Sequence, residues 1–378
     1  MKNIVFVFVL TLFTSCVDSH QSETQPSPIQ IIKISEDDLL QHGNLSDLIA
    51  DFVLVPLETD SSCLIMEIKK VIFHKDHYYV FDESAQNILK FDATGKFIKK
   101  IGRSGEGPGE FFEIHDFTID SEKDILYVPD YYKLHLFTLD GLFIKSLPLK
   151  FMGPEMAQTK ENDFIFSGGF EDYRIRLADS LGNLVSSFIP YSKINNASSK
   201  YPLTSVDTNV FFHLPACDTI FQIINEKPEP AYFIDFGDKA FTREYFDNLP
   251  RQIQNDMGNY LNNETDRITF FSFLPTRNHI FLQLDHAKNY YSGYYDKRTK
   301  KHLFVNHNKY KNDLFGSFFY FNPVGILDDR YIIEVPSYKF LENQDATLLS
   351  TPENQKIINR LNKYSNPVLM IVTPKTIH

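Results

Sequence analysis

From residue 50 onward, the chain alternates between short hydrophobic runs and polar turn segments. Val, Ile, Phe and Tyr are concentrated in the runs, whereas Asp, Asn, Gly and Lys separate them. Short runs rich in β-branched and aromatic residues, bounded by turn-forming residues, are typical of β-strands. The pattern therefore predicts an all-β protein.

The strand pattern repeats along the chain. Residues 78–102 contain YVFD and GKFIK, and residues 126–147 contain the matching strings YVPD and GLFIK. A looser copy of the turn DATG at 92–95 is DSLG at 179–182, and fainter units follow toward the C-terminus. A period in the forties, with several short strands per unit, is typical of a β-propeller in which each unit is one four-stranded blade.

Six blades of about 50 residues fill most of residues 50–374. We expect the ring to close by pairing Phe52–Val55 with Val368–Val372, and we expect Gly-containing turns to join the outer strands of the blades. Two stacked β-sandwiches would account for the strands but not for the repeat. The prediction is a single six-bladed β-propeller spanning residues 30–378.

Two segments depart from the β pattern. A helical insertion is predicted at about 241–263, where Thr242 can cap one short helix and Pro250 can begin another. A short helix is predicted at about 352–363, with Thr351 as its cap and Pro352 as its first residue. Apolar residues four positions apart give the insertion one buried stripe: Ile253, Met257 and Leu261.

The N-terminus has the features of a secretory signal. Lys2 is followed by an apolar stretch, and small polar residues lead to Cys16. This arrangement predicts a signal peptide over residues 1–15. The ending LFTSC resembles a bacterial lipobox, so we expect Cys16 to carry lipid and the polar residues 16–29 to form a flexible tether.

The glycine-rich segment IGRSGEGPGEF at 101–111 is the most distinctive string in the chain. A phosphate-binding loop is one interpretation, but the spacing G-x-G-x-x-G is missing and no helix pattern follows. The glycines are instead predicted to allow a tight crossing from one blade to the next. With the preceding FDATGKFIKK, the segment resembles the blade junction of NHL-type repeats.

Together with the lipobox and the strings CDTIFQI, YFIDFG and NPVLMIV, this junction makes the chain resemble the six-bladed β-propeller lipoproteins, with NHL/TolB-like repeats, of Gram-negative envelopes. The resemblance implies the fold, the blade number and a lipid-anchored location in the cell envelope, with the outer membrane as the expected site. The family has no settled activity, so the resemblance transfers no catalytic residues.

Composition narrows the class of partner. The formal charge of −11 and the pI near 5.6 argue against nucleic acid, because phosphate binding needs a basic surface. The chain has 35 Phe and 20 Tyr but no Trp, and sheets packed face to face need many apolar side chains between them. Besides Cys16, only Cys63 and Cys217 are present; two unrelated buried thiols are favoured over a disulfide.

Propellers bind ligands where the loops that enter the innermost strands meet, at the mouth of the central channel. The candidate binding residues there are Lys69, with Lys70 beside it, Arg103, Glu106, His115 and Asp116. A His next to an Asp could act as a base or a metal ligand, but a solvated channel rim is the favoured interpretation.

Other histidines and tyrosines give weaker signals. The pairs His74/His77 and His302/His307 lack a nearby third ligand and are interpreted as surface residues. No metal site and no cofactor are predicted. Exposed tyrosines could stack on a sugar or on a partner protein, although about half of them are expected in the core. The tyrosine pairs are Tyr131-Tyr132, Tyr290-Tyr291 and Tyr294-Tyr295.

These features favour a cell-envelope lipoprotein that acts as a binding or protein-interaction module through its propeller face. Its partner is expected to be an envelope protein or a small-molecule or glycan ligand, and its membrane contact is expected through the lipid anchor. The alternative is a metal-dependent enzyme of the lactonase or lyase type, an activity that some NHL-like propellers carry, with its site at the channel mouth. A scaffold without a small ligand is the third possibility.

Overall fold

Six small sheets are arranged in a ring in the computed structural model of the protein, which confirms the predicted six-bladed β-propeller. The structure describes residues 28–40, 42–161, 163–168, 172–190, 201–214, 217–256, 259–260, 263–314, 321–342 and 351–378. Within these ranges, no helix is long and apolar enough to cross a membrane.

Blades 1 to 3 are four-stranded antiparallel meanders that follow one another along the chain. From the innermost strand outward, blade 1 contains β4 (Ile68–His74), β5 (His77–Asp82), β6 (Asn87–Asp92) and β7 (Phe97–Ile101). Blade 2 contains β10 (Thr118–Asp120), β11 (Ile125–Asp130), β12 (Lys133–Thr138) and β13 (Phe143–Pro148). Blade 3 contains β14 (Glu155–Gln158), β15 (Phe164–Ser167), β16 (Tyr173–Ala178) and β17 (Leu184–Pro190). Between blades 1 and 2, β8 (Arg103–Ser104) and β9 (Glu110–Phe111) pair in parallel.

Blades 4 to 6 also involve strands from the N-terminal part of the chain. Blade 4 contains β18 (Leu203–Val206), β19 (Asn209–His213), β20 (Thr219–Ile224), β21 (Lys227–Asp235) and, outermost, β1 (Gln30–Lys33). Blade 5 contains β22 (Thr269–Pro275), β23 (His279–His286), β24 (Asn289–Asp296), β25 (Lys301–Asn306) and β2 (Leu39–Leu40). Blade 6 contains β26 (Pro323–Leu327), β27 (Arg330–Val335), β28 (Val368–Pro374) and β3 (Ile49–Pro56).

Blade 6 closes the ring as the sequence predicted. Its outermost strand β3 comes from the N-terminal part of the chain and pairs antiparallel with the C-terminal strand β28. Leu54 lies opposite Met370, and Val55 lies opposite Leu369. Blade 6 is therefore built from both ends of the chain, and backbone hydrogen bonds between these distant segments close the ring.

Residues 30–56, which we call the N-terminal strap, run along the outside of three successive blades. Strand β1 pairs in parallel with β21, and β2 pairs in parallel with β25, before the chain reaches β3. Ile32 and Leu39 are buried between blades 4 and 5, whereas Leu45 and Leu48 of the short helix α1 (Leu45–Leu48) are buried between blades 5 and 6. The strap thus joins blades 4, 5 and 6, an arrangement that the sequence pattern did not predict.

The repeated glycines lie where the sequence placed them. Gly95, Gly141 and Gly182 have φ of +86°, +74° and +85° in the turns between the third and fourth strands of blades 1, 2 and 3. A Cβ on Gly95 would lie 2.2 Å from the carbonyl oxygen of Pro56, at the end of β3. Glycine is needed there for its positive φ and for the close approach of the closing strand.

The two ends of the ring differ in their connections. On the back face, each connection between consecutive strands has two to five residues. On the opposite end, which we call the mouth face because the innermost strands begin there, the connections include residues 102–117, 236–268, 307–322 and 336–367. Long loops on a rigid scaffold are where proteins concentrate binding residues, so the mouth face is the candidate functional surface.

The predicted helices lie within these mouth loops. Thr242 caps α2 (Arg243–Asp247) by accepting the N–H of Tyr245, and Thr351 caps α4 (Pro352–Ile358) by accepting the N–H of Asn354. Pro250 precedes α3 (Arg251–Asn255) as its N-cap rather than beginning it. Helix α4 ends at Ile358, before the predicted 363, because the chain turns at Asn359. Met257 and Leu261 of the predicted stripe lie outside the described residues.

The core is divided among the seams between neighbouring blades. Each of the six seams contains its own cluster of buried apolar residues, and phenylalanines such as Phe81, Phe137 and Phe164 fill these clusters. Cys63 is buried between blades 6 and 1, whereas Cys217 packs between blades 3 and 4. The two cysteines are free thiols on different sides of the ring, as the sequence analysis favoured, although Cys217 is only partly buried.

Candidate functional site

A central cavity of about 270 Å³ opens among the innermost strands. Every blade contributes to its wall. One lining residue from each of blades 1 to 6 illustrates this: Ile72, Thr118, Ala157, Thr204, Leu274 and Val324. The volume is just below the range of about 300–1,000 Å³ that is usual for small-molecule pockets, so the cavity suits one side chain or a small ligand.

Three ionisable residues occupy equivalent positions at the mouth of this cavity. The innermost strands of blades 1, 2 and 3 pair with their second strands in the same register: Ile72 with Tyr79, Thr118 with Tyr127 and Ala157 with Ile165. Lys70, Asp116 and Glu155 each lie two residues before the first member of these pairs, and all three line the cavity. The repeat therefore places a cation and two carboxyl groups side by side around the channel.

Asp116 connects these three blades. One of its carboxylate oxygens accepts a bond from Lys70 Nζ at 2.7 Å, and the other accepts the N–H of Met156 at 3.0 Å. Asp116 is buried, with 8% of its surface exposed, and a buried carboxylate needs such partners to offset its desolvation. Lys70 and Asp116 therefore neutralise each other within the cavity wall.

Glu155 differs from Asp116 because its carboxyl group has no hydrogen-bond or ion-pair partner among the described residues. Burial, and secondly the negative charge of Asp116, raise the pKa of Glu155 to about 8. Lys69, Lys70 and Arg174 act in the opposite direction but do not outweigh these effects. Glu155 is half-buried, so its carboxyl group is surrounded by protein and still reaches the open cavity.

The structure brings together four of the six residues that the sequence analysis selected. Lys69, Lys70, His115 and Asp116 line the cavity. Lys69 Nζ lies 2.7 Å from Glu83 Oε1, and His115 Nε2 lies 3.4 Å from Glu113 Oε1. Each of the two side chains therefore has its own carboxylate neighbour on the mouth face.

Arg103 and Glu106 lie on the glycine-rich junction and do not line the cavity. Arg103 forms an ion pair with Glu110 at 2.6 Å, and Glu106 is exposed. A Cβ on Gly102 would lie 2.2 Å from the ring of Phe111, so the junction folds tightly onto the seam between blades 1 and 2. Sequence reasoning missed Glu155, the first residue of the innermost strand of blade 3, although its register position matches that of Asp116 in blade 2.

The histidine pairs do not form a metal site. Across the described residues, no three His, Cys, Asp or Glu side chains are arranged so that they could hold one ion. His74 contacts Asp124 at 3.1 Å, and His302 contacts Asp38 at 3.1 Å. His307 is fully buried, against the ring of Tyr290, so its interpretation as a surface residue was wrong.

Exposed aromatic side chains are concentrated on the mouth face. Within the described ranges, six aromatic side chains are exposed. Five of them lie at this end of the ring: Phe112, Tyr132, Tyr173, Tyr338 and Tyr364. Met66 and Leu64, also exposed, lie in the neighbouring mouth loop 57–67. Phe112, Met66 and Tyr364 have 64%, 74% and 75% of their surface exposed. We call these seven residues the aromatic rim.

The tyrosines selected from the sequence divide between rim and core. Tyr132 belongs to the aromatic rim, and Tyr131 packs against Phe112 with ring centroids 5.5 Å apart. In β24, by contrast, Tyr291, Tyr294 and Tyr295 are buried. These three tyrosines are therefore not available to stack on a sugar or a partner protein.

Two buried aspartates hold part of the aromatic rim in place. Asp82 and Asp130 end the second strands of blades 1 and 2, and their carboxylates accept backbone N–H groups of the mouth loops. The four bonds are Met66 N–Asp82 Oδ2 (2.8 Å), Glu67 N–Asp82 Oδ1 (3.2 Å), Phe112 N–Asp130 Oδ2 (2.8 Å) and Glu113 N–Asp130 Oδ1 (3.1 Å). The repeated strings YVFD and YVPD indicate this arrangement in the sequence. Their shared Asp binds the mouth loop at the same place in each blade, and the bound loop carries an exposed apolar residue there, Met66 or Phe112.

The fold and the site define a six-bladed propeller with a small central cavity and an aromatic rim on one face. The chain belongs to the DUF4934 family, a domain of unknown function, whose model matches residues 29–373. No curated protein matches the chain.

Two solved structures share the fold. A protein of Bacteroides fragilis NCTC 9343, inferred to be exported, is 19% identical, with a TM-score of 0.76 over 92% of this chain and 100% of that chain. A member of the DUF4221 family from Bacteroides vulgatus ATCC 8482 is 11% identical, with a TM-score of 0.52 over 87% of this chain and 98% of that chain. Similarity at these identities establishes the fold and carries no function with it.

Proposed function

We infer that this protein is a binding module of the cell envelope that recognises a partner protein through its mouth face. The observation that carries this proposal is the aromatic rim: within the described ranges, five of the six exposed aromatic side chains lie on one face of the ring. Aromatic residues and Met are enriched in protein interfaces because they provide a large contact area at a low entropic cost. The long loops of the mouth face and the short turns of the back face also favour the mouth face as the binding surface.

The envelope location is part of the proposal. It is supported by the signal-like segment 1–15 and by the lipobox-like ending at Cys16. A lipid anchor on Cys16 would hold the propeller at a membrane surface without a spanning helix.

Photo-crosslinking in the native envelope tests the proposed face. A photoreactive phenylalanine analogue replaces Tyr132 on the mouth face or, in matched controls, Leu142 and Leu181 in back-face turns, where 68% and 61% of the side-chain surface is exposed. We expect a discrete crosslinked protein from position 132 and none from positions 142 and 181. Equal crosslinking from both faces, or crosslinking from the back face alone, would contradict the proposal.

Serine substitutions then test whether the rim contributes to binding. The triple variant Phe112→Ser, Tyr132→Ser, Tyr364→Ser removes three exposed rings, and the control variant Leu142→Ser, Leu181→Ser removes two exposed apolar side chains from the back face. Rim side chains that anchor a partner should each contribute about 1–2 kcal/mol to binding. We expect the mouth variant to lose capture by at least tenfold while the back variant retains it, with both keeping the melting temperature of the wild type.

A further inference from the structure

We propose that the central cavity receives a lysine side chain of the bound partner, with its ammonium group beside Glu155. This inference rests on the proposed function and names the group that the mouth face recognises. Three features of the cavity carry it: a carboxyl group without a partner, the pairing of the other charges, and the apolar wall opposite.

The charges around the cavity leave Glu155 as the group that lacks compensation. Lys70 is paired with Asp116, Lys69 is paired with Glu83, and both distances are 2.7 Å. The carboxyl group of Glu155 makes no hydrogen bond or ion pair among the described residues, and it lies next in the chain to Met156, whose N–H is bound by Asp116. An incoming cation would therefore meet the carboxyl groups of Glu155 and Asp116, while the two lysine ammonium groups of the wall are already paired with Glu83 and Asp116.

The shape of the cavity suits an alkylammonium group. The wall formed by blades 5 and 6 is apolar at Leu274, Val324 and Ile326, whereas blades 1 to 3 provide the charged side. A lysine side chain can pack its methylene groups against apolar surface while its ammonium end meets a carboxylate. The cavity volume of about 270 Å³ accommodates one such side chain, inserted from the aromatic rim.

Binding should change the protonation of Glu155. Besides Asp116, the charged groups that act on its carboxyl are Lys69, Lys70 and Arg174, and His115 lies on the same cavity wall. In the free protein, the pKa of about 8 keeps most of this carboxyl protonated at pH 7. An ammonium group placed beside it favours the carboxylate, so binding at pH 7 should release a proton into the buffer.

Calorimetric titration of the full chain with three capped amino acids tests the inference. The probes are N-acetyl-lysine N-methylamide, its neutral isostere N-acetyl-norleucine N-methylamide, and N-acetyl-glutamate N-methylamide. The variants are Glu155→Gln and, as a matched control, Glu106→Gln, whose carboxylate is exposed and does not line the cavity. The measurements are made at pH 7 in two buffers of different ionisation enthalpy.

We expect the wild type and Glu106→Gln to bind the lysine probe about tenfold more tightly than the norleucine probe, since a charge-assisted hydrogen bond is the difference between them. Proton release should accompany binding in these two proteins. Glu155→Gln should lose both the preference and the proton release while still unfolding in one cooperative thermal transition at pH 7.

Several results would overturn the inference: equal binding of lysine and norleucine probes, a preference for the glutamate probe, retention of lysine selectivity in Glu155→Gln, or no lysine binding at millimolar concentration. Crosslinking from Tyr132 that persists unchanged in Glu155→Gln would leave the mouth face as the interface and remove the lysine contact. Absence of crosslinking from the mouth face would instead contradict the proposed function, whatever the probes show.

Discussion

At the scale of single residues, the repeated aspartates connect the sequence repeat to the surface of the molecule. Asp82 is fully buried, and its carboxylate accepts N–H groups from Met66 and Glu67 as well as from Ala85. Asp130 makes the same type of contact in the next blade. One residue type in one strand position thus shapes the mouth loops of two blades.

Replacing Asp82 by Ala should destabilise the fold substantially. The change leaves three backbone N–H groups without their acceptor, and a buried unsatisfied group costs about 1–3 kcal/mol. We expect a loss of about 2 kcal/mol or more in the free energy of unfolding, measured by urea denaturation. The control Asp37→Ala removes an exposed carboxylate and should change stability by less than about 0.5 kcal/mol. Similar losses in both variants would contradict the role assigned to Asp82.

Glu155 should make stability depend on pH. Its pKa is raised in the folded state from the ordinary value of 4.5 to about 8, so its favourable contribution is fully present below about pH 4.5 and is lost as the pH rises through 8. Between pH 5 and pH 9, the melting temperature of the wild type should therefore fall relative to that of Glu155→Gln. The variant Glu106→Gln should follow the wild type across this range. A constant difference between wild type and Glu155→Gln would show that the carboxyl titrates normally.

The cavity residues show what a sequence can and cannot reveal at this scale. Lys69, His115 and Asp116 were selected because clear strands follow them in the chain. Glu155 was not selected because Gly153 and Pro154 interrupt the pattern before a short strand, so its equivalence to Asp116 becomes visible only through strand register. The unpaired state of its carboxyl depends on contacts between blades, which have no local signature.

At the scale of elements, the outer turns of the blades also contribute to ring closure. Gly95 in the turn of blade 1 lies against Pro56, which ends the closing strand β3. The Gly95 N–H binds the carbonyl oxygen of Asp92, and the Gly95 carbonyl accepts the N–H of Glu58 at 2.8 Å. The turn therefore holds the chain as it passes from blade 6 to blade 1.

Gly95→Ala and Gly237→Ala should differ in cost. Both glycines have positive φ, of +86° and +58°, but a Cβ on Gly95 would lie 2.2 Å from the Pro56 carbonyl oxygen, whereas nothing lies within 4 Å of a Cβ on Gly237. Gly237→Ala should cost about 1 kcal/mol from backbone strain alone. Gly95→Ala should cost about 1–3 kcal/mol more because the closing strand must shift. Equal free energies of unfolding would mean that the contact with Pro56 is easily relieved.

Local patterns predicted most elements of this fold. The D-x-x-G turns, the capped helices at Thr242 and Thr351 and the closing pair of strands all have short-range signals in their own residues. The strap was missed because β1 contains only four residues, and its parallel partner β21 lies about 200 positions away in the sequence. Pairing over such a distance is decided by which blade edge is free, and a hydrophobic pattern carries no information on that.

At the scale of the whole molecule, two parts of the N-terminal strap have different roles: the closing strand β3, and the strands β1 and β2 upstream of it. Strand β3 is one of the four strands of blade 6, whereas β1 and β2 add a fifth strand to blades that are already complete. The ring therefore depends on β3, and the strap upstream of it reinforces the seam between blades 4 and 5.

Truncation should separate these two roles. A chain beginning at residue 39 loses β1 and the buried side chains of Ile32 and Ile34, so it should fold with a lower melting temperature than a chain beginning at residue 28. A chain beginning at residue 57 loses β3 and exposes β28, and it should show no cooperative thermal transition by circular dichroism. Cooperative melting of the shorter chain near the temperature of the longer ones would show that the ring closes without β3.

If Cys16 carries the proposed lipid, the direction of β1 determines which face of the ring lies toward the bilayer. Because β1 runs parallel to β21, which runs from the back face toward the mouth, the N-terminal end of β1 at Gln30 points toward the back face. If residues 17–29 connect Gln30 to a lipid on Cys16, they can span up to about 45 Å when extended, enough to lift the ring clear of the lipid headgroups. The back turns would then face the anchoring leaflet. The aromatic rim would face the aqueous space on the side away from the membrane, where a partner can reach it.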